Sequence, residues 1–390
     1  MFLTAFTDVL LGFAALPFLY YLIALYSSWR FFAPSRRRIA AAPAFHPPVS
    51  ILKPVRGLDP DAYQNFASFC RLDYPEYELV FCVGSTDDPV LSVIERLQRD
   101  FPERPIRVLF GSRRAASNDK VAKLARLASE AQHEYLVIND SDVRVRPDYL
   151  RRIVAPLADP HVGAVTCLYV SIGERTFAEN LQTIGMVSDF YAGLLVARQL
   201  DGVKFALGPT IATTRARLAE FGGYQTIENR PADDLLVGRL IAEQGYEVEL
   251  LSYTVETVAD YQSMRELVQK RLRWLVVMRH MRPWGHLGLI FTLGLPWSVL
   301  AAIADPAWSI AAAFLATYFV LRIALTWLIG VWGLKQTALW KMLPLVILWD
   351  GVACAMWLAS FLRNTVRWRG GEYYIRDGLL VPSTSPSSGD

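Results

Sequence analysis

Three short groups of charged residues carry chemistry: Asp140-Ser141-Asp142, Asp233-Asp234, and Lys270-Arg271-Leu272-Arg273-Trp274. In the first, two acids at i and i+2 follow an apolar strand, where both carboxylates can converge on one hard cation, Mg²⁺ or Mn²⁺. Such a cation offsets charge building on a departing diphosphate, the demand made by transfer from a sugar diphosphate. A solvated turn gives the same three letters. In the second, adjacent acids open a helix, so one can cap its N-terminus while the other points into a cleft as a general base for a hydroxyl. Plain capping explains it equally well. In the third, the cations suit a diphosphate and Trp274 suits a sugar or base face, while a basic helix lying on anionic lipid is the bland alternative.

These groups need a scaffold, and the sequence supplies alternating strands and helices. Val49-Ser50-Ile51-Leu52-Lys53-Pro54-Val55, residues 77–83, 106–110 and 134–139 read as strands, with helices over 60–72, 89–100 and 119–132 between them. The pattern predicts a mostly parallel, doubly wound α/β sheet whose ligands sit at the strand C-terminal ends, where Asp140 falls. A further strand is expected over 163–168, a long helix over 177–200 and a helix over 232–245. Residues 264–282 form a basic amphipathic stretch suited to a membrane surface.

The chain has 390 residues, and hydrophobic residues make up 53% of it, too apolar for an ordinary soluble protein, while charged residues still reach 20%. The two populations are segregated. An apolar run over about 6–29 approaches the roughly 20 residues that cross a bilayer, and others cover about 286–304, 307–330 and 342–362, with Asp305-Pro306 between the first two. The chain therefore divides into an N-terminal anchor (1–30), a linker (31–48), a soluble domain (49–275), an interfacial helix with a transmembrane bundle (276–366), and a tail (367–390) whose Ser/Pro-rich end reads as disordered. The first run has no basic n-region or cleavage site, so a removed signal peptide is not expected. Arg36-Arg37-Arg38 after it predict, by the positive-inside rule, an integral membrane protein with its soluble domain in the cytosol, at the inner membrane if the host is bacterial. Three later spans would put Arg363, Arg367 and Arg369 outside, against that rule, so one apolar run is expected to be re-entrant or interfacial. Arg322 and Asp350 lie inside apolar runs, where charges are expensive, and are expected to pair or to snorkel. A net charge of +3 gives no nucleic-acid footprint, and the scattered Cys70, Cys82, Cys167 and Cys354 with five histidines give no zinc site.

In order and context the motifs are similar to those of the ceramide glucosyltransferase family, inverting glycosyltransferases of the GT-A fold, with a hopanoid-modifying branch. The resemblance rests on residues 51–60 (ILKPVRGLDP), 72–79 (LDYPEYEL), Asp87-Asp88-Pro89, Asn118-Asp119-Lys120-Val121 and Asp140-Ser141-Asp142-Val143-Arg144-Val145. It continues through Phe221-Gly222-Gly223-Tyr224, Asp233-Asp234, Gly245-Tyr246, Arg273-Trp274 and the tail Trp368-Arg369-Gly370-Gly371, nearly the whole chain. It implies a GT-A domain with N- and C-terminal transmembrane helices and a UDP-sugar donor. Asp140 and Asp142 would bind metal and diphosphate, Asp234 would be the base beside Asp233, Lys53 and Lys120 would line the donor site, and Arg273 and Trp274 would close over donor and acceptor. Ser85 stands where the family usually has an acid, which leaves Asp87 or Asp88 for the nucleoside, or no acid at all. Lys270 opens the signature usually begun by Gln or Arg, keeping charge but losing the planar fork. Asp142 is present where the family often lacks the second acid, which favours metal dependence.

The expected activity is inverting transfer of a hexose, glucose from UDP-glucose, to a ceramide-like membrane lipid. Transfer of N-acetylglucosamine to a hopanoid polyol is the nearest rival. A processive polysaccharide synthase would need more helices to enclose a polymer channel, and a scaffold without activity would not need Asp140, Asp142, Asp234 and Arg273 together.

Overall fold

The computed structural model describes residues 2–35, 45–111, 116–173, 176–258, 263–305, 307–368, 371–376 and 378–383. The positive cluster Arg36-Arg37-Arg38, Pro306, Arg369-Gly370 and the Ser/Pro-rich end of the tail from 384 lie outside the described residues. Helices α1 (Phe2–Ala14) and α2 (Leu16–Ser35) meet at Ala15, just before Pro17, whose missing N–H is tolerated in the first turn of α2. Together they give an apolar stretch, Ala5–Ala33, long enough to cross a membrane.

The soluble part is a sheet with helices on its faces. Strand β1 (Val49–Val55), α3 (Ala62–Cys70), β2 (Tyr77–Val83), α4 (Val90–Asp100), β3 (Ile106–Phe110), α5 (Asp119–Glu130) and β4 (Tyr135–Ile138) alternate as the pattern predicts. β3, β2, β1 and β4 are neighbours and parallel. Every residue of β1 and β2 is buried, which is why both read as continuous apolar runs rather than alternating ones. Two layers flank this half. Phe66, Phe69, Phe81 and Tyr149 lie on one face, while Leu52, Val80, Leu124 and Leu127 lie on the other.

The second half is where the mostly parallel sheet becomes mixed. After β5 (Val143–Arg144), α6 (Tyr149–Val154) and β6 (Val162–Ile172) comes a long helix in two parts, α7 (Phe177–Gly185) and α8 (Tyr191–Asp201), joined through a π-turn over Met186–Phe190. Then follow β7 (Ile211–Thr214), α9 (Arg215–Glu220), α10 (Asp233–Glu243) and β8 (Glu247–Val258). The sheet order is β3-β2-β1-β4-β7-β6-β8-β5. β7 is antiparallel to both β4 and β6, so the chain that leaves β4 at the acidic motif comes back beside it through residues 207–210. That return matters below.

Helix α11 (Met264–Met281) carries the basic signature. Beyond it, α12 (Pro283–Gly288) and α13 (Gly294–Ala304) form a pair bent by 57°, and α14 (Trp308–Thr326) continues through a π-turn to Gly333, a second stretch long enough to cross a membrane. α15 (Leu345–Phe361) is shorter and equally apolar. Arg322 of α14 and Asp350 of α15 meet at 2.6 Å, both buried, the pairing rather than the snorkelling alternative. The tail is not featureless: β9 (Thr365–Trp368), β10 (Gly371–Arg376) and β11 (Leu379–Pro382) form an antiparallel sheet, and Val366, Ile375 and Leu380 pack on Val276 of α11.

Candidate active site

Asn139 follows the last residue of β4, and the acids after it lie at the C-terminal edge of the sheet. Asn139 is buried, and its amide donates to the Tyr149 hydroxyl at 2.8 Å and to the Pro209 carbonyl at 2.7 Å. One residue before the acids, the strand end is thereby locked to the returning segment Leu207-Gly208-Pro209-Thr210. Thr166 of β6 fixes the other side of that segment, accepting from the Leu207 N–H at 2.9 Å and donating to the Thr210 carbonyl at 2.8 Å.

Gly208 is where the two acidic motifs meet. A Cβ built there would lie 3.0 Å from Asp140 Oδ2 and 3.3 Å from Asp234 Oδ2. Its N–H donates to Asp234 Oδ2 at 2.9 Å, while the Leu235 N–H donates to Asp234 Oδ1 at 2.8 Å. Both oxygens of Asp234 are thus held by backbone donors in the first turn of α10. Ala232, just before the dyad, sits at φ 55° in the left-handed region, a conformation that costs a non-glycine residue about 1–2 kcal/mol. Burial first, and Asp233 second, raise the proton affinity of Asp234 to a pKa of about 6, against the pull of Lys120.

Lys120 bridges the motifs from α5. Its Nζ lies 2.7 Å from Asp140 Oδ1 and 3.1 Å from Asp233 Oδ2. Burial disfavours its charge, but Asp140, Asp233 and Asp234 outweigh burial and hold its pKa above the ordinary lysine value. Asn118 places this lysine by capping α5, accepting from the Val121 N–H at 3.3 Å and donating to the Arg230 carbonyl at 3.0 Å. Lys53, fully buried in β1, donates to the Asp140 carbonyl at 3.1 Å and stands 3.7 Å from the Phe69 ring centre. Burial drops its pKa to about 7, with Asp142, Asp140 and Asp59 opposing.

Asp142 is crowded by acids. Burial, then Asp140 and Asp59, raise its pKa to about 7. Asp59 was not singled out in the sequence: it lies in the loop after β1 and accepts a hydrogen bond from Ser141 of the acidic motif. The Asp142 carbonyl accepts from the N–H of Val258 at 3.1 Å, so β8 ends at this motif and leads toward α11. Asp140 and Asp142 with a diphosphate form a hard-oxygen donor set of the kind Mg²⁺ and Mn²⁺ take, and an excess of negative charge for a cation to offset. Among the described residues no three His, Cys, Asp or Glu side chains are arranged to hold a metal by themselves, so the remaining ligands would come from the donor.

The remaining expected residues lie in the loop after β2 and on α11. Asp88 accepts from the Gly57 N–H at 2.9 Å and the Val90 N–H at 3.1 Å, tying the loop after β1 to the start of α4. Asp87 is exposed in the turn that follows β2. On α11, Lys270, Arg273 and Trp274 are half-buried. Trp274 packs on Phe190 at 6.3 Å, and the buried Arg271 binds Gln182 of α7 at 2.7 Å and faces the rings of Trp274 and Trp349. Arg271 is one of the cations of the basic run that suit a diphosphate, and its side chain is buried against α7.

A strand-end DxD motif facing a helix-opening acid pair across a backbone glycine, on this mixed sheet, defines a glycosyltransferase of the GT-A fold. The structure of a mannosyltransferase from Pyrobaculum calidifontis, solved with GDP-Man and Mn²⁺, superposes over 90% of this chain and 99% of that one with a TM-score of 0.54 and 21% identity, a likeness of fold. The family described as Glycosyl transferase family 21 matches residues 9–381, and the chain belongs to it. Ceramide glucosyltransferase 3 of Caenorhabditis elegans is 24% identical over 61% of this chain and 52% of its own length. The ceramide glucosyltransferase of Komagataella phaffii is 34% identical over 32% of this chain and 25% of its own. The chain therefore spans about half the length, or less, of the curated relatives it matches.

Proposed function

We propose that this enzyme moves a hexose from a UDP-sugar, UDP-glucose in the first instance, to the hydroxyl of a ceramide-like membrane lipid, with inversion at the anomeric carbon. The observation that carries the reading is the approach of the Asp140 and Asp234 carboxylates to the same glycine, Gly208. A diphosphate-side acid and a base-side acid then face one reacting locus. The relatives named above are ceramide glucosyltransferases, which supports the sugar and the acceptor. The two long apolar helices support a site beside the bilayer, and Arg36-Arg37-Arg38 after the first of them support a cytosolic soluble domain by the positive-inside rule.

In this reading Asp234 takes the proton of the lipid hydroxyl as its oxygen bonds to the anomeric carbon, and the bond to the UDP oxygen breaks with its electron pair leaving on the diphosphate. A pKa raised to about 6 makes Asp234 a stronger base than a surface aspartate while leaving it ionised near neutrality. The Gly208 and Leu235 N–H groups aim it, and Asp233, held by Lys120, fixes the first turn that carries it. Asp140 and Asp142 would hold a divalent cation, which when bound offsets charge on the departing diphosphate. Lys53 and Lys120 line the donor side, and Asp87 faces the nucleoside. Lys270, Arg273 and Trp274 close over donor and acceptor from α11.

Mass spectrometry of lipids from cells with and without the protein, then of extracts given ceramide or a hopanoid polyol, tests this. The expected gain is one hexose on a ceramide backbone. An N-acetylhexosamine on a hopanoid would replace this reading with its nearest rival, and several sugars on one lipid would favour a processive synthase.

A further inference from the structure

We infer that α15 is not a membrane span but a helix lying in the plane of the bilayer beneath α7 and α11, both of its ends on the side of the catalytic domain. The inference rests on the membrane reading of the apolar helices and is independent of which sugar or lipid reacts.

The direction of the other helices comes first. The C-terminal end of α2 leads into the catalytic domain, so Phe32 marks the domain end of the bundle. Gly333, at the end of the π-turn that extends α14, has the Phe32 ring where a Cβ would stand (2.6 Å), while Phe314, early in α14, packs on Phe18 at 5.5 Å. α14 therefore runs in the same direction as α2 and returns the chain to the domain side. The turn at Asp305 lies on the far side. The bent pair α12–α13 must have carried the chain there, its bend pinned at Tyr21, whose hydroxyl donates to the Thr292 carbonyl and accepts from the Gly294 N–H.

α15 starts and finishes against domain helices. Near its start, the Trp349 ring lies against Gly185 of α7, where a Cβ would come within 2.2 Å, and its Nε1 donates to Asp189 in the π-turn before α8. Asp350 binds Arg322, which also binds Asp189, and Asp350 accepts from the Tyr318 hydroxyl at 2.7 Å. At its finish, Arg279 of α11 donates to the Ser360 carbonyl at 2.6 Å and the Arg363 carbonyl at 2.7 Å, and His286 of α12 lies 2.9 Å from Ser360 Oγ. The following strands stay on the domain: the Leu380 N–H donates to the Asn229 carbonyl at 2.8 Å, close to the Asp233-Asp234 dyad.

Length and charge agree. Seventeen residues at about 1.5 Å each fall short of a hydrocarbon core of about 30 Å. Both flanks are basic, Lys335 and Lys341 before the helix and Arg363 and Arg367 after it, and the positive-inside rule places both flanks on one face. Leu348, Leu358 and Leu362 are exposed and face the acyl chains of that leaflet. The odd count of apolar runs is thereby reconciled with a basic tail beside the catalytic domain.

Single cysteines in the full-length chain, in sealed vesicles, test this with a membrane-impermeant maleimide, the unsubstituted chain serving as blank. Arg99→Cys on α4 reports the domain side and Ser309→Cys the far turn. Lys341→Cys and Arg363→Cys are expected to label from the same side as Arg99→Cys, and Ser309→Cys only from the other. Labelling of Lys341→Cys and Arg363→Cys from opposite sides would make α15 a span and overturn the inference. Labelling of Ser309→Cys from the domain side would overturn the crossing of α14. Thr337→Cys and Asn364→Cys repeat the two flanks if a first variant does not accumulate.

Discussion

Replacing Gly208 by alanine inserts one methyl group between the two acidic motifs and tests their convergence without removing a charge. The added Cβ would lie 3.0 Å from Asp140 Oδ2 and 3.3 Å from Asp234 Oδ2, so both carboxylates must give way by a few tenths of an ångström. The 2.9 Å bond from the Gly208 N–H to Asp234 is bent or lost with them. A hydrogen bond to a charged group contributes about 1.5–3 kcal/mol, which corresponds to roughly a 10- to 160-fold loss of rate. Gly208 is not among the positive-φ glycines, so alanine fits the backbone and the fold should survive. Steady-state transfer should show that loss in kcat, with the apparent Tm moving by no more than about 4 °C. Transfer at the parental rate, or a Tm that falls in step with activity, would refute the placement of the reacting locus at Gly208.

Three further expectations follow from the same geometry. Because Asp234 acts ionised and its pKa is raised to about 6, kcat/KM for the lipid should fall about tenfold per pH unit below that value and level off above it; a flat profile down to pH 5 would remove it as the base. Removing one partner of the buried ion pair, by Arg322→Met or Asp350→Asn, should each cost about 3–5 kcal/mol of bundle stability in thermal unfolding. The double variant should lose at least about 1 kcal/mol less than the sum, and strictly additive losses would show no coupling. Since no three-acid metal cluster exists among the described residues, Mn²⁺ should bind the protein weakly alone and roughly 10- to 100-fold more tightly with UDP present, by calorimetry. Equal affinity in both conditions would mean the chain supplies a full ligand set.

Much of the architecture was legible because its signals are local. Residues 77–83 form a strand that is buried throughout, and Asp140 falls where an apolar strand stops, so period and punctuation sufficed. Arg322 and Asp350 announced themselves as charges in apolar runs, but their third partner did not: Asp189 lies on an amphipathic stretch where an acid looks ordinary. Gly208 and Asp59 were missed for a different reason. Their importance comes from contacts across the sheet, made when β7 returns antiparallel beside β4 and when the loop after β1 folds over Ser141. β8 was also missed, because its burial is intermittent and its run blends apolar with acidic residues. Hydropathy ranked the apolar segment of α15 with the spans, since composition carries no information about which neighbours hold the ends of a helix.

The most direct test is made on purified protein in lipid nanodiscs, supplied with labelled UDP-glucose, Mg²⁺ or Mn²⁺ and ceramide. The parent chain should transfer one labelled hexose to ceramide, and Asp234→Asn should lose about 10²–10⁴-fold in kcat while holding the donor with little change in affinity. Unchanged transfer by Asp234→Asn would contradict the account, because the acid held against Gly208 would then have no part in the reaction.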